Sequence, residues 1–353
     1  MLSKDQQQRV GEGSTAIQAA GNVTITNTGI TLSEAREVAM DVWQANFYEL
    51  AGVAKETARA RAEEITEEIF SKLQKEHPAG LERAREPDFL YDAYTVQEQY
   101  ARCGDKDLGD LLVDLLVDRS KQAQRNIMQI VLSESLRTAP KLTENQLAVL
   151  AVVFLFRYTQ SLTIANHAKL GEYFDKFARP FVSKVVKNEA CYQHLQFCGC
   201  GSIGIGLGER HLETLLGTFY QGQFVKGFDQ TEVSQRGISI GLDPRFFIRC
   251  LNDPSKVQVN ANNKESLEKS LEEHAIPAED RLKIAALFDV AKISDSEIKE
   301  KCISIRPYMS DFFDTWSTSP MRNFTLTSVG IAIGHANIKR LIGQFADLSI
   351  WIN

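Results

Sequence analysis

The stretch TLSEAREVAMDVWQANFYELAGVAKETARARAEEITEEIFSKLQ, residues 31–74, decides the fold class, because its apolar residues recur at threes and fours. Thr31 with Glu34 three residues on has the form of a capping box, a helix start. Val38, Val42, Trp43, Phe47, Leu50, Ala54, Ala58, Ala62, Ile65, Ile69 and Leu73 then run along one stripe. Arg59/Glu63 and Glu68/Lys72 add i,i+4 ion pairs on the other face. Some forty residues rising 1.5 Å each predict a rod of roughly 60 Å. That is longer than a compact domain needs, so part of it is expected to pack on another subunit. His77-Pro78 ends the pattern, and Pro87 marks the next element.

Directly upstream lies STAIQAAGNVTITNTGIT, residues 14–31, which reads as a β-hairpin arm. Ile17 and Ala19 alternate with polar residues, Gly21-Asn22 supplies a turn, and Val23 and Ile25 alternate again. A two-stranded hairpin is marginal alone in water and needs a surface to pair with. The arm is therefore expected to build a homo-oligomer through Ile17, Ala19, Val23 and Ile25, with Trp43 and Phe47 of the long helix assisting. Pairing between copies could close a small barrel and remove the free strand edges.

Further helices are predicted at about 88–102, 106–137, 144–161 and 166–188, with Thr143 and Gln146 forming a second capping box. Short connections such as Thr138–Lys141 suggest antiparallel neighbours. Beyond Cys191 glycine becomes frequent and short β-like pieces appear at Ser202–Gly206, Gly237–Gly241 and Leu348–Ile352. Between them lie helical patterns, among them one capped by Ser294 and Glu297 and one from Thr325 or Thr327 to about Ile342. The chain thus reads as predominantly helical α+β. Residues 1–31 form the β-arm, 32–190 the long helix with a helical bundle, and 191–353 a mixed domain with a small sheet.

A length of 353 residues exceeds the usual single domain, and 43% hydrophobic content excludes wholesale disorder. A net charge of -6 and no basic run with interleaved aromatics argue against a nucleic-acid partner. The N-terminus has no signal-peptide core, and the longest apolar run, Leu147–Phe156, is too short to span a bilayer. No constitutive membrane insertion is expected. Six cysteines in a chain of this size without a secretion signal read as reduced thiols, hence a cytoplasmic protein.

Three constellations could carry chemistry. Cys191-x2-His194-x3-Cys198-x-Cys200, with His211 further on, offers zinc-type ligands in a spacing that fits no paired framework, so core packing is the better reading. Gly199–Gly204 satisfies G-x-G-x-x-G but lacks a buried strand before it and a helix after it, so close packing of a glycine strand is favoured over phosphate binding. Asp107, Asp110, Asp114 and Asp118 share one helix face, an acidic stripe that wants cations; Arg119, Lys121 and Arg125 are the near candidates. No G-x-S-x-G, H-E-x-x-H or Walker A sequence is present, and the six histidines are dispersed. No cofactor or metal is expected. Tyr308–Trp316 reads as an amphipathic helix docking its aromatics.

Three stretches, AIQAAGNVTI with EVAMDVWQANFYEL, HLQFCGCGSIGIG, and FTLTSVGIAIG with DLSIWI, together resemble an uncharacterised family of bacterial cytoplasmic proteins linked to conflict and anti-phage defence. The resemblance implies bacterial origin and a cytoplasmic location, and carries no site residues over. The function expected is that of a non-enzymatic, self-assembling scaffold or sensor with a protein partner. The alternative is a nucleotide- or metal-dependent effector, a hydrolase, using the Cys191–Gly208 region.

Overall fold

The computed structural model describes residues 30–46, 52–122, 124–204, 210–290 and 292–352. It is about 70% helical, with sixteen α-helices and two small antiparallel sheets among the described residues. The predicted arm, including Ile17, Ala19, Val23 and Ile25, lies outside the described residues, as does Phe47.

Helix α1 (Leu32–Asn46) starts where the sequence places it. Thr31 Oγ1 accepts the Glu34 N–H at 3.2 Å, and the Glu34 carboxylate accepts the Thr31 N–H at 2.8 Å. The rod expected from 33 to 74 is a helical hairpin instead. Helix α2 (Gly52–Glu76) runs back along α1: Arg36 pairs with Glu67, Thr66 Oγ1 lies 3.4 Å from Met40 Sδ, and Trp43 packs with Ala58 and Ala62. Gly52 has φ +59, and the small alanines of α2 let the large side chains of α1 lie against it. Periodicity could not reveal this, since an apolar stripe continues through both helices; the face that α1 buries is Ala35, Ala39 and Trp43, while Val38 and Val42 of the expected stripe are only part-buried and Ala54 is exposed.

Next come α3 (Pro87–Cys103), α4 (Lys106–Ser120), α5 (Ile127–Thr138) and α6 (Glu144–Tyr158). The single helix expected over 106–137 is two, because Asn126 Oδ1 accepts the Gln129 N–H at 2.8 Å and caps a new start. The Thr143/Gln146 capping box is formed as predicted, and the run Leu147–Phe156 is wholly buried in α6. Helices α7 (His167–Tyr173) and α8 (Arg179–Val182) are joined by a π-turn over Phe174–Ala178, and α9 (Glu189–Phe197) leads into strand β1 (Gly201–Ile203).

Helix α10 (Leu212–Phe219) and α11 (Thr231–Gln235) precede β2 (Phe247–Arg249) and β3 (Val257–Val259), then α12 (Lys264–Glu273) and α13 (Ala278–Val290). The chain closes with α14 (Asp295–Ile305), α15 (Met309–Thr318), β4 (Phe324–Leu326) and α16 (Ser328–Ile342). Ser294 and Thr327 cap α14 and α16. Phe312, Phe313 and Trp316 of α15 are buried, as an amphipathic docking helix requires. Two expected strands are not strands. Gly237 and Gly241 both take left-handed φ in turns, and Leu348–Ile350 is a 3-10 turn capped by Asp347.

Strand β1 pairs antiparallel with β4, Ser202 opposite Thr325, and β2 pairs with β3, Ile248 opposite Gln258. One large hydrophobic core runs from Ile30 to Phe224 and resumes from Ile293 to Ile352. A second, smaller core lies between Phe228 and Phe288. The cores therefore divide the chain near 225 and 292, and the expected boundary at 190/191 falls inside the large one. Helix α16 returns from the far end of the chain to lie on α4, α5 and α6. Its approach to α6 is close: a Cβ on Gly334 would sit 2.8 Å from the Leu150 carbonyl oxygen.

Candidate functional site

The Cys191–Gly208 region is brought together around the start of α6. His194 and Cys198 are one helical turn apart, with Cys198 Sγ 3.6 Å from His194 Nε2. Gln146 completes a trio. Its Oε1 accepts the Thr143 N–H at 3.0 Å, so its Nε2 is the atom that donates to the Cys191 carbonyl at 3.0 Å and faces His194 Nδ1 at 2.9 Å. His194 Nδ1 is then the acceptor and the ring proton sits on Nε2, toward the sulfur. A general base for the thiol needs its lone pair on that side. The trio is arranged to hold a helix start and not to activate a nucleophile.

Of the other thiols of the region Cys200 is buried and Cys191 half-buried: desolvation pushes Cys191 up to about 11 and Cys200 up to about 12. Among the described residues, no group of three or more His, Cys, Asp and Glu could hold a metal ion.

The G-x-G-x-x-G residues follow helix α9 and form β1, the reverse of the strand-then-helix order that a phosphate cradle requires. Their glycines permit contact. A Cβ on Gly201 would lie 2.5 Å from the Phe324 ring and 2.6 Å from the Thr325 carbonyl oxygen. From the other side, a Cβ on Gly330 of α16 would lie 1.9 Å from the Cys200 carbonyl oxygen. Thr327 locks the seam, its N–H donating to Cys200 O at 3.1 Å and its Oγ1 to Gly199 O at 2.6 Å.

The most unusual electrostatic feature is the acidic stripe of α4. Asp114 is only 2% exposed, yet two cations reach it: Lys72 Nζ of α2 at 2.8 Å and Lys339 Nζ of α16 at 3.7 Å. Lys339 also meets Asp118 at 3.2 Å and Glu76 at 3.3 Å, and Arg340 meets Asp107 at 2.5 Å. Burial alone would lower the Lys339 pKa, but Asp118, Asp114 and Glu76 together hold it above the ordinary value. Glu68 is raised too, which for a carboxyl favours the neutral form. Burial, then the hydrogen bond and charge of Asp110, raise it to about 7. Glu68, Asp110, Lys72, Lys339 and Arg340 line an open groove of about 450 Å³.

Of the cations expected near this stripe, Lys121 pairs with Asp118 at 2.6 Å, while Arg125 is exposed. Arg119 turns to the opposite side, where its guanidinium meets Asp88 and, at 2.8 Å, the buried Asp92. The principal cation, Lys339, is more than two hundred residues away in sequence. The only local signal for it was a pair of basic residues in the last turn of an apolar helix, where they also favour the helix dipole.

One turn before Lys339, His335 is buried with its Nε2 2.7 Å from the Ala346 carbonyl. Its ring sits among Phe154, Phe345 and Trp351, so residues 343–352 are strapped across α16 by ring packing. The Trp351 indole N–H donates to Tyr158 O at 2.7 Å and fastens the strap's end.

Among the residues expected to serve assembly, Trp43 is described. Its indole is 5% exposed and is covered by its own chain, in a cluster with Ala58, Ala62 and Ala101. No described helix is long and apolar enough to cross a membrane.

These features define a predominantly helical α+β protein whose N-terminal hairpin and C-terminal helix are clamped by a buried ion cluster. A protein-family model of an uncharacterised type matches residues 29–352, nearly the whole chain, and the chain belongs to that family. No curated protein and no solved structure matches it.

Proposed function

We propose that the protein is a non-enzymatic, self-assembling scaffold or sensor of the bacterial cytoplasm that meets a protein partner in anti-phage defence. The observation that carries this reading is the junction after the arm. In sequence the expected arm directly precedes Ile30, which is buried in the large core, and ends at Thr31, which caps α1. An arm that pairs between copies would thus adjoin the folded body. The hairpin it joins is tied by Lys72 and Glu76 to Asp114 and Lys339, so force or order at the arm reaches α16 through short charged contacts. Cytoplasmic residence is supported by six free cysteines, three of them buried. Bacterial origin and defence rest on the sequence resemblance. The hydrolase alternative is disfavoured by the His194 tautomer and the raised thiols.

The test is the native mass of a chain lacking residues 1–28, which spares Ile30 and the Thr31 cap. Light scattering should show a smaller species than the full chain, with the same helical circular dichroism. A full-length monomer, or a truncated chain that keeps the full oligomer, would sink the assembly reading.

A further inference from the structure

Where the two hydrophobic cores meet, the Gly222–Gln223 turn, β2, β3 and the Asn260–Asn262 turn enclose a cleft of about 230 Å³. Such junctions are favoured places for small-molecule sites. In a chain with 24% charged residues, none of the ten residues lining this cleft is charged. Half of them carry a carboxamide or hydroxyl side chain.

Gln223 is the informative one. It is 2% exposed, and its Nε2 donates to Ile164 O and to Asn262 Oδ1, each at 3.2 Å. The Ile164 carbonyl can only accept, which fixes the nitrogen on that side. The Gln223 Oε1 is left buried without a hydrogen-bond partner among the described residues. A buried acceptor of this kind calls for a donor that the described residues do not provide. Asn262, whose oxygen is taken by Gln223, keeps its Nδ2 to donate. Asn260 donates its Nδ2 to Arg245 O at 3.1 Å and keeps its oxygen to accept.

The rest of the cleft is rigid. Gln258 commits both ends of its amide to the backbone, donating to Gly222 O and accepting from Leu251 N, each at 2.8 Å. A Cβ on Gly222 would lie 1.8 Å from Ala261 O, so this wall is bare backbone. Ile248 and Leu251 supply apolar surface.

We propose that this cleft binds a neutral nucleobase-type ring, presented as a nucleoside, whose edge carries adjacent donors and acceptors. Carboxamides complement such an edge, as Asn and Gln do with adenine, and the apolar side chains cover the ring face. A phosphate gains nothing here, since no Lys or Arg lines the cleft. The proposal goes beyond the assembly reading and does not depend on the arm.

The experiment titrates the full chain, labelled at isoleucine δ1 methyls, with adenosine, guanosine, cytidine and uridine, using Ile248→Val to assign the reporter. One nucleoside should shift the Ile248 methyl saturably, its 5′-monophosphate should bind no more tightly, and ribose should leave the signal unmoved. Gln223→Met should weaken binding by about tenfold or more, the loss of one buried hydrogen bond. Asn262→Ala, which leaves Gln223 its bond to Ile164, should weaken it too and covers the case that the first variant does not fold. No shift with any nucleoside at millimolar concentration, an equal shift with ribose or glucose, or unchanged affinity in the folded variants would overturn the proposal. Light scattering on the same samples keeps this outcome separate from that of the assembly reading.

Discussion

Gly330→Ala sets two effects of opposite sign against each other. Gly330 lies in the first turn of α16, where its N–H donates to Thr327 Oγ1 at 3.2 Å. By helix propensity alone, alanine there should stabilise the protein by about 1 kcal/mol. Packing opposes it. The added Cβ would stand 1.9 Å from the Cys200 carbonyl oxygen and 2.9 Å from its carbon, and ordinary contact begins at 3.4 Å. The seam must open by about 1.5 Å, and its two sides are backbone. Opening it strains the Thr327 bonds to Cys200 and Gly199 and the Ser202–Thr325 pairing. Overpacking costs about 1–3 kcal/mol and a lost hydrogen bond about 1 kcal/mol. Net destabilisation should be about 1–3 kcal/mol once the propensity gain is subtracted. In urea followed by circular dichroism, that is a midpoint about 0.3–1 M lower for an m of about 3 kcal/mol/M. A variant as stable as the parent, or more stable, would show that β1 and α16 are not tightly seated and would refute the close-packing account of the glycine-rich segment.

Lys339→Met should destabilise by about 2–3 kcal/mol in the same assay, below the usual cost of breaking a buried pair because Lys72 still reaches Asp114 and Lys339 is 16% exposed; a loss under about 0.5 kcal/mol would mean a solvated cluster. Glu68 titrates near 7 in the fold against about 4.3 unfolded, so the folded state holds the extra proton between those values and stability falls as pH rises through that window. Glu68→Gln should remove about 1 kcal/mol of that fall, allowing for solvent screening at a half-exposed site; stability–pH curves that superimpose for parent and variant would contradict it. Trp43→Ala should cost about 3–5 kcal/mol, the range for a buried aromatic, and calorimetry showing an unchanged melting temperature would place the indole elsewhere.

Local features were legible because they depend on neighbours in sequence. The boxes at Thr31/Glu34, Thr143/Gln146 and Ser294/Glu297 are formed as read, since each closes over three residues. The buried run Leu147–Phe156 and the aromatic face of α15 were equally plain. Helix interruptions were not. The end of α1 at Asn46 and the break before Asn126 interrupt an apolar periodicity that runs on past both. The acidic stripe was visible, but its cations were sought within a few residues, and the decisive one came from the other end of the chain. The Cys–His spacing gave ligand types without saying that Gln146 would fix the ring proton on the wrong nitrogen.

By itself, then, the sequence determined the helical class, the helix starts and the residues too apolar to leave in water, because periodicity and capping act over one or two turns. Tertiary structure alone decided which faces meet: that α2 folds back on α1, that α16 returns to clamp α4, and that a buried carboxamide oxygen between two cores is left without a donor among the described residues. Charge pairing and hydrogen-bond satisfaction are set by distances through space, and nothing in the order of residues records them.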